Sequence, residues 1–176
     1  MKQIKFKVNA SGFEKLQKNT EKFVNAINKL RVEFPILLLQ AIRDRADQYL
    51  NARVGYYRGT ANLSSQWEIN KVGVMAYELR NTSGLGAYIE FGTGIVGGME
   101  PHEKADEVNY EYDVANHSED GWNWYDEFHG MLIKGFKGYE GKSFLYDAYY
   151  DYIVKGEYKT LFQNLLLKEL GGTLWT

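Results

Sequence analysis

Gly92, Gly94, Gly97 and Gly98 stand within seven residues, directly behind the apolar run Ala87-Tyr88-Ile89-Glu90-Phe91. Nothing else in the chain limits its folding as tightly. Residues without a Cβ, clustered in this way, mark a place where the main chain turns sharply or passes close to other main chain. The run before them reads as a short strand entering a glycine turn. Gly92-Thr93-Gly94-Ile95-Val96-Gly97 also matches the dinucleotide-binding pattern G-x-G-x-x-G. That chemistry needs a helix opening directly behind the glycines, so that its first N–H groups and its dipole meet a pyrophosphate. Gly98-Met99-Glu100-Pro101 follows instead, and Glu103 to Asp113 is acidic and polar without a stripe of period 3.6. The context opposes the motif, and no cofactor is expected.

The 176 residues are most simply one domain, 1–176, long enough to bury about two-thirds of the unfolded surface. With 44% hydrophobic residues a packed core is expected. The 14 tyrosines and 4 tryptophans exceed what a core needs, and such rings commonly serve contact surfaces. The net charge of −2 gives no basic stripe for nucleic acid, so DNA is not expected as a bound ligand. The charge is unevenly spread. Met99 to Phe128 carries ten carboxylates against Lys104 alone, so this segment holds −9 and the remainder +7. Residues 98–130 therefore read as an acidic, aromatic insertion. Such a run is ordinarily a solvated loop; its sharper readings are a face complementary to a neighbour's basic helices, or an acidic wall beside passing DNA. The chain has no cysteine, which excludes disulfides and thiolate chemistry. Met1 to Val8 alternates like a strand without the apolar block of a signal peptide, and no apolar run is long enough to span a bilayer, so a soluble protein is expected.

Along the chain, residues 2–8 read as a strand. Ser11 with Glu14 makes a capping box, opening a helix with Phe13, Leu16, Phe23, Ile27 and Leu30 on one side. Pro35 stands where a first helical residue would, predicting a second helix with Leu38, Ala41, Ile42, Arg45, Tyr49 and Leu50 on its stripe until Gly55. Alternation at Leu63, Ser65, Trp67 and Ile69, then strands over Lys71–Arg80 and Ala87–Phe91, predict an antiparallel meander. Val108–Val114 reads as a strand and Gly121–Tyr125 as an aromatic loop. Helices are expected over Ser143–Val154 and Tyr158–Leu170. The expected class is α+β: a mainly antiparallel sheet packed by a long N-terminal helical region and C-terminal helices.

Catalytic chemistry is hard to place. His102, His117 and His129 are spaced too widely to hold a metal together, and Asp106 stands where H-E-x-x-H would need its second histidine. No metal site is expected, and isolated histidines are usually hydrogen-bonded spacers. Glu90 at the end of an apolar run has the setting of a carboxyl with a raised pKa. With a second carboxylate, and with Trp122 and Trp124 stacking on sugar, it would make a carbohydrate-active site. Nothing in the sequence brings that second carboxylate near. Glu90 is expected instead on the polar face, or accepting N–H groups of the Gly92–Gly94 turn. No catalytic residue is assigned, and the protein reads as a non-enzyme. The alternative function is a small carbohydrate-binding or carbohydrate-active module.

Tyr88-Ile89-Glu90-Phe91-Gly92-Thr93-Gly94 resembles the Y-x-E-F-G-T-G element of a family of tailed-phage minor structural proteins. These are the neck, head–tail joining and tail-completion proteins of long-tailed phages. Two further segments agree in order. Gly59-Thr60-Ala61-Asn62-Leu63 is similar to the family's T-G-x-L, with Gly and Thr exchanged. Lys142-Ser143-Phe144-Leu145-Tyr146-Asp147-Ala148 is similar to its P-F-L-x-x-A, with Ser143 where proline is usual. The resemblance spans roughly residues 10–170. It implies a tail-terminator-like fold and a non-enzymatic part of the virion's head–tail junction, made in the bacterial cytoplasm. It also implies a ring of copies, commonly six, with connector and tail-tube or terminator proteins as partners and DNA only as passing cargo. A ring needs two unlike faces on each subunit, which the uneven charge supplies. Expected assembly contacts are Tyr88, Glu90, Phe91, Gly92, Thr93, Gly94, Trp122, Trp124, Tyr125, Phe144 and Leu145.

Overall fold

The computed structural model describes residues 10–54, 63–83, 85–112, 121–126 and 130–172, with the main chain alone at Val54, Trp122, Trp124, Tyr125, Asp126 and Ile133. The expected strand over 2–8, the Gly59–Asn62 part of the T-G-x-L-like segment, His117 and His129 lie outside these residues. The architecture is mixed α+β, with a long N-terminal helix and antiparallel strand pairs.

One helix, α1, runs from Ala10 to Val54. Two helices divided at Pro35 are therefore not found. Proline forfeits a hydrogen bond inside a helix, but side chains on both sides of it are held in place. Leu30 and Ile42 are buried, and Phe34 meets Phe162 edge-on at 5.1 Å. Packing of this kind outweighs a local penalty of about 3 kcal/mol. Ser11 lies inside the helix rather than at its cap.

The middle of the chain forms a hairpin, β1 (Trp67–Gly73) against β2 (Ala76–Asn81), antiparallel with a register shift between Lys71 and Gly73. The expected strand over Lys71–Arg80 is thus broken by a turn at Val74 and Met75, and Met75 takes a positive φ of 61°. Ala87–Phe91 is not the expected third strand but the helix α2 (Gly86–Phe91). Its apolar residues are too few to fix a period, and burial of Ile89 together with Glu90 decides the matter. Behind it come β3 (Gly92–Thr93) and α3 (Gly94–Met99). Val108–Val114 is not a strand over its described part. A single 3-10 turn covers Asp106–Val108, ending at a left-handed Asn109.

The aromatic segment expected as a loop is the strand β4 (Trp122–Asp126), paired with β5 (Met131–Phe136) in a second hairpin. β6 (Gly138–Glu140) pairs with β3. Among the described residues all three pairs are antiparallel, but each has two strands and they do not join into one meander. The chain ends in α4 (Phe144–Tyr149), a π-helical turn over Tyr150–Val154, and α5 (Glu157–Glu169), close to the expected pair of helices.

The main core lies where α1 crosses α4. Ile42, Ala46 and Leu50 of α1, four residues apart, meet Phe144 and Ala148 of α4, with Leu63 and Ile89 closing the cluster. Trp67 packs edge-on to Phe144 and donates its indole N–H to Asp47 at 2.9 Å. A second tie is polar. The buried Asp151 accepts from Arg45 at 2.9 Å, Lys155 at 2.7 Å and the Tyr49 hydroxyl. Burial alone would push this carboxyl up, but the hydrogen bonds from Lys155 and Tyr49 outweigh it and hold the group below its ordinary value. No helix among the described residues is long and apolar enough to cross a membrane.

Candidate functional site

A helix leaves its first N–H groups without partners, and a side chain at the N-cap normally takes one of them. α4 begins differently. Ser143 at its N-cap is left-handed, with φ 48° and ψ 35°, and its hydroxyl does not cap. Glu90 of α2 performs that role from 55 residues away. Its Oε2 accepts the Leu145 N–H and its Oε1 the Tyr146 N–H, both at 2.8 Å. Two main-chain bonds sew the same segments together: Lys142 N–H to the Ile89 carbonyl at 2.8 Å and Ser143 N–H to that of Glu90 at 3.2 Å. Glu90 is 6% exposed. Burial raises its carboxyl above the ordinary range, and the hydrogen bonds from Leu145 and Tyr146 only partly offset this.

His102 closes the site from the loop after α3. Its side chain is buried, with Nε2 2.8 Å from the Ser143 hydroxyl and 3.7 Å from Oε1 of Glu90. Nδ1 accepts the Lys104 N–H at 3.0 Å, so in the neutral ring the proton sits on Nε2. Nε2–H therefore donates to the Ser143 oxygen, and Ser143 donates onward to Asp147 at 3.3 Å. This is the reverse of a nucleophile–base pair, in which the imidazole must accept the hydroxyl proton. Burial holds the His102 pKa below its ordinary value. Arg53 ties the outer side, donating to the carbonyls of Lys142 and Ser143 and to Asp147.

Around this centre Phe91 stacks on Tyr110 at 4.7 Å and meets His102 edge-on at 4.9 Å. The Tyr110 hydroxyl donates to the Gly92 carbonyl at 2.6 Å, and burial pushes its pKa up to about 12. The glycines serve close approach. A Cβ on Gly92, whose φ is 87°, would lie 2.5 Å from the Gly141 nitrogen, and one on Gly138, whose φ is 96°, only 1.8 Å from the Thr93 oxygen.

The same geometry answers the dinucleotide pattern in another way than the sequence does. A short helix does open at Gly94, contrary to expectation, but a helix rather than a strand precedes the glycines. The N–H groups in question are engaged: Gly94 donates to the Tyr112 carbonyl at 3.0 Å and Val96 to that of Lys137 at 3.1 Å. Among the described residues no group of three or more His, Asp or Glu side chains is placed to hold a metal ion.

Of the expected site residues, Glu90, Phe91, Gly92, Thr93 and Gly94 lie together with Phe144 and Leu145. Tyr88 faces outward, 48% exposed. The main chain of Trp122, Trp124 and Tyr125 belongs to the β4–β5 pair, which shares no strand with the β3–β6 pair of this site. Glu90 takes neither expected position, being neither on the polar face nor bonded to the glycine turn. Sequence reasoning does not find Ser143, His102, Tyr110, Asp147 and Arg53 as its partners. The one available signal is Ser143, which ends a stretch of turn residues before a helix without a capping glutamate three residues on. No family model, curated protein or solved structure matches this chain.

Proposed function

We propose that this chain is a non-enzymatic structural protein of the head–tail junction of a tailed bacteriophage, a tail-completion or head–tail joining part with a tail-terminator-like fold. It works as a closed ring of copies, commonly six, between connector and tail tube, with DNA passing through. The observation that carries the reading is the meeting of the two phage-like segments. Tyr88–Gly94 and Lys142–Ala148 are 48 or more residues apart in sequence, yet they are joined through the Glu90 cap and two main-chain bonds. A motif held together by buried hydrogen bonds and close glycine contacts is a framework element, and this fits a family that shares a scaffold and not a reaction. Exposed Val72, Val74 and Met75 at the tip of the first hairpin, with Val74 95% exposed, supply one of the apolar contact points that assembly requires.

The test is native mass spectrometry with negative-stain microscopy over a concentration series, alone and with purified phage connector. A closed ring in either condition is the expected result. A chain that forms no ring in both conditions, and that is retained on a polysaccharide column until Trp122 or Trp124 is replaced by alanine, overturns the reading for the carbohydrate one.

A further inference from the structure

Both ring nitrogens of His102 are engaged, and on different elements. Nδ1 accepts the Lys104 N–H inside its own turn, and Nε2–H reaches across to the Ser143 oxygen at the start of α4. That turn is closed upon itself. Ala105 N–H donates to the His102 carbonyl at 2.9 Å, Val108 N–H to that of Lys104 at 3.3 Å, and Tyr110 N–H to that of Ala105 at 2.9 Å. Residues 102–110 therefore form one unit, with Ala105 only 3% exposed. The described ties from this unit to α4 run through side chains. They are the His102–Ser143 bond, the His102 ring edge-on to Tyr146 at 5.4 Å, and the Lys104 ammonium 5.6 Å from the same tyrosine ring. Toward α2 and β3 the unit offers His102 and Tyr110 against Phe91, and the Tyr110 hydroxyl on the Gly92 carbonyl.

We propose that His102 is a proton-operated latch: in mild acid the turn 102–110 swings off the start of α4 and exposes Ala105, while the core between α1 and α4 stays closed. The step follows from donor chemistry. A proton arriving from water goes to Nδ1, the one ring nitrogen that carries a lone pair, and Nδ1–H then faces the Lys104 N–H. Two donors cannot bond, so the contact inside the turn is lost and the ring must rotate. Rotation withdraws Nε2–H from Ser143 and breaks the hydrogen bond to α4. A buried donor without an acceptor adds its own penalty to the closed state. Charged and titratable groups face the ring from each neighbouring element. Glu90 of α2 lies 3.7 Å away, and α4 brings Asp147 and Tyr146. Arg53 of α1 stands on the far side of Ser143, and the loop itself adds Glu103, Lys104 and Tyr112, with Tyr110 behind Phe91. Burial opposes a charged ring and outweighs the carboxylates Glu103 and Asp147, so the proton is taken up more readily once the turn has opened. Glu90 does not fix the charged ring in place, because its two oxygens already accept the N–H groups of Leu145 and Tyr146. The moving unit carries Glu103, Asp106 and Glu107, so opening displaces part of the acidic stretch. The latch is independent of the phage reading.

The chain has no native cysteine, so single cysteines report opening in the full-length protein. Ala105→Cys reads the latch, and Ala148→Cys, at a fully buried position, reads the core. An aromatic disulfide reagent that stays reactive in acid is applied, and each labelling rate is divided by that of the denatured chain at the same pH. Between about pH 7 and about pH 5 the corrected rate at Ala105→Cys should rise about tenfold, while that at Ala148→Cys stays level. His102→Asn keeps an oxygen that can accept the Lys104 N–H but takes up no proton, and should make the Ala105→Cys rate independent of pH. Hydrogen exchange in the unsubstituted chain, corrected for intrinsic rates, gives the same comparison between residues 102–110 and 42–50. No rise at Ala105→Cys, a rise that survives His102→Asn, or an equal rise at Ala148→Cys overturns the latch.

Discussion

Glu90 takes the place that Ser143 leaves empty at the start of α4, and a buried carboxylate in that position has consequences for pH. Burial raises its pKa above 4.5, so the folded chain holds this proton more readily than the unfolded chain. Stability from Glu90 therefore falls as pH rises from 4.5 through the folded value. His102, 3.7 Å away, has the opposite sign. Burial depresses its pKa below 6.5, so the unfolded chain binds the proton first, and stability falls as pH drops from 6.5 toward the folded value. The two slopes oppose each other in the wild type, and single variants separate them. Glu90→Gln is expected to cost about 1–3 kcal/mol, since one of two buried N–H groups loses its acceptor. It should leave a profile in which stability only rises with pH. His102→Gln should leave one in which the Glu90 arm falls alone. Urea midpoints measured from about pH 4 to about pH 7 read both, and profiles parallel to wild type in both variants would refute the coupling.

At the scale of elements, the β3–β6 contact is the most exacting among the described residues. Gly138 carries no side chain because none fits: a Cβ would fall 1.8 Å from the Thr93 oxygen, and the φ of 96° disfavours any other residue. Gly138→Ala is thus expected to destabilise by more than about 3 kcal/mol, through clash and backbone strain together, and to release the Gly92–Gly94 segment from β6. Hydrogen exchange at Tyr139 and Glu140 should accelerate with it; protection equal to wild type would show that the strands separate without cost. Long elements are readable from sequence where a period has room to repeat. Ile42 and Leu50 on the long helix and the closing helices are visible for that reason, whereas Ala46, which shares their buried face, is not part of the predicted stripe. Gly86–Phe91 reads wrongly as a strand because six residues offer too little repeat to tell a helix from a strand. Pro35 misleads because tertiary packing of Phe34 and Ile42 overrides its local preference. The Glu90 cap is invisible because its partners are main-chain N–H groups 55 and 56 residues away, and main-chain groups leave no mark in a sequence.

For the whole molecule, the contact between copies in the proposed ring should respond to salt. The acidic stretch from Met99 to Phe128 carries −9 against +7 on the remainder, so unlike faces that meet in a ring are charge-complementary. Attraction between such exposed groups weakens as the Debye length shortens from about 14 Å to about 4 Å between roughly 50 mM and 500 mM salt. Raising sodium chloride should therefore open the proposed ring into smaller species. Mass photometry at the two salt conditions reads the change in mass directly. A ring whose mass is unchanged at the higher salt would mean that charge does not hold the faces together, and the complementarity of the acidic stretch with the rest of a neighbouring copy would fail.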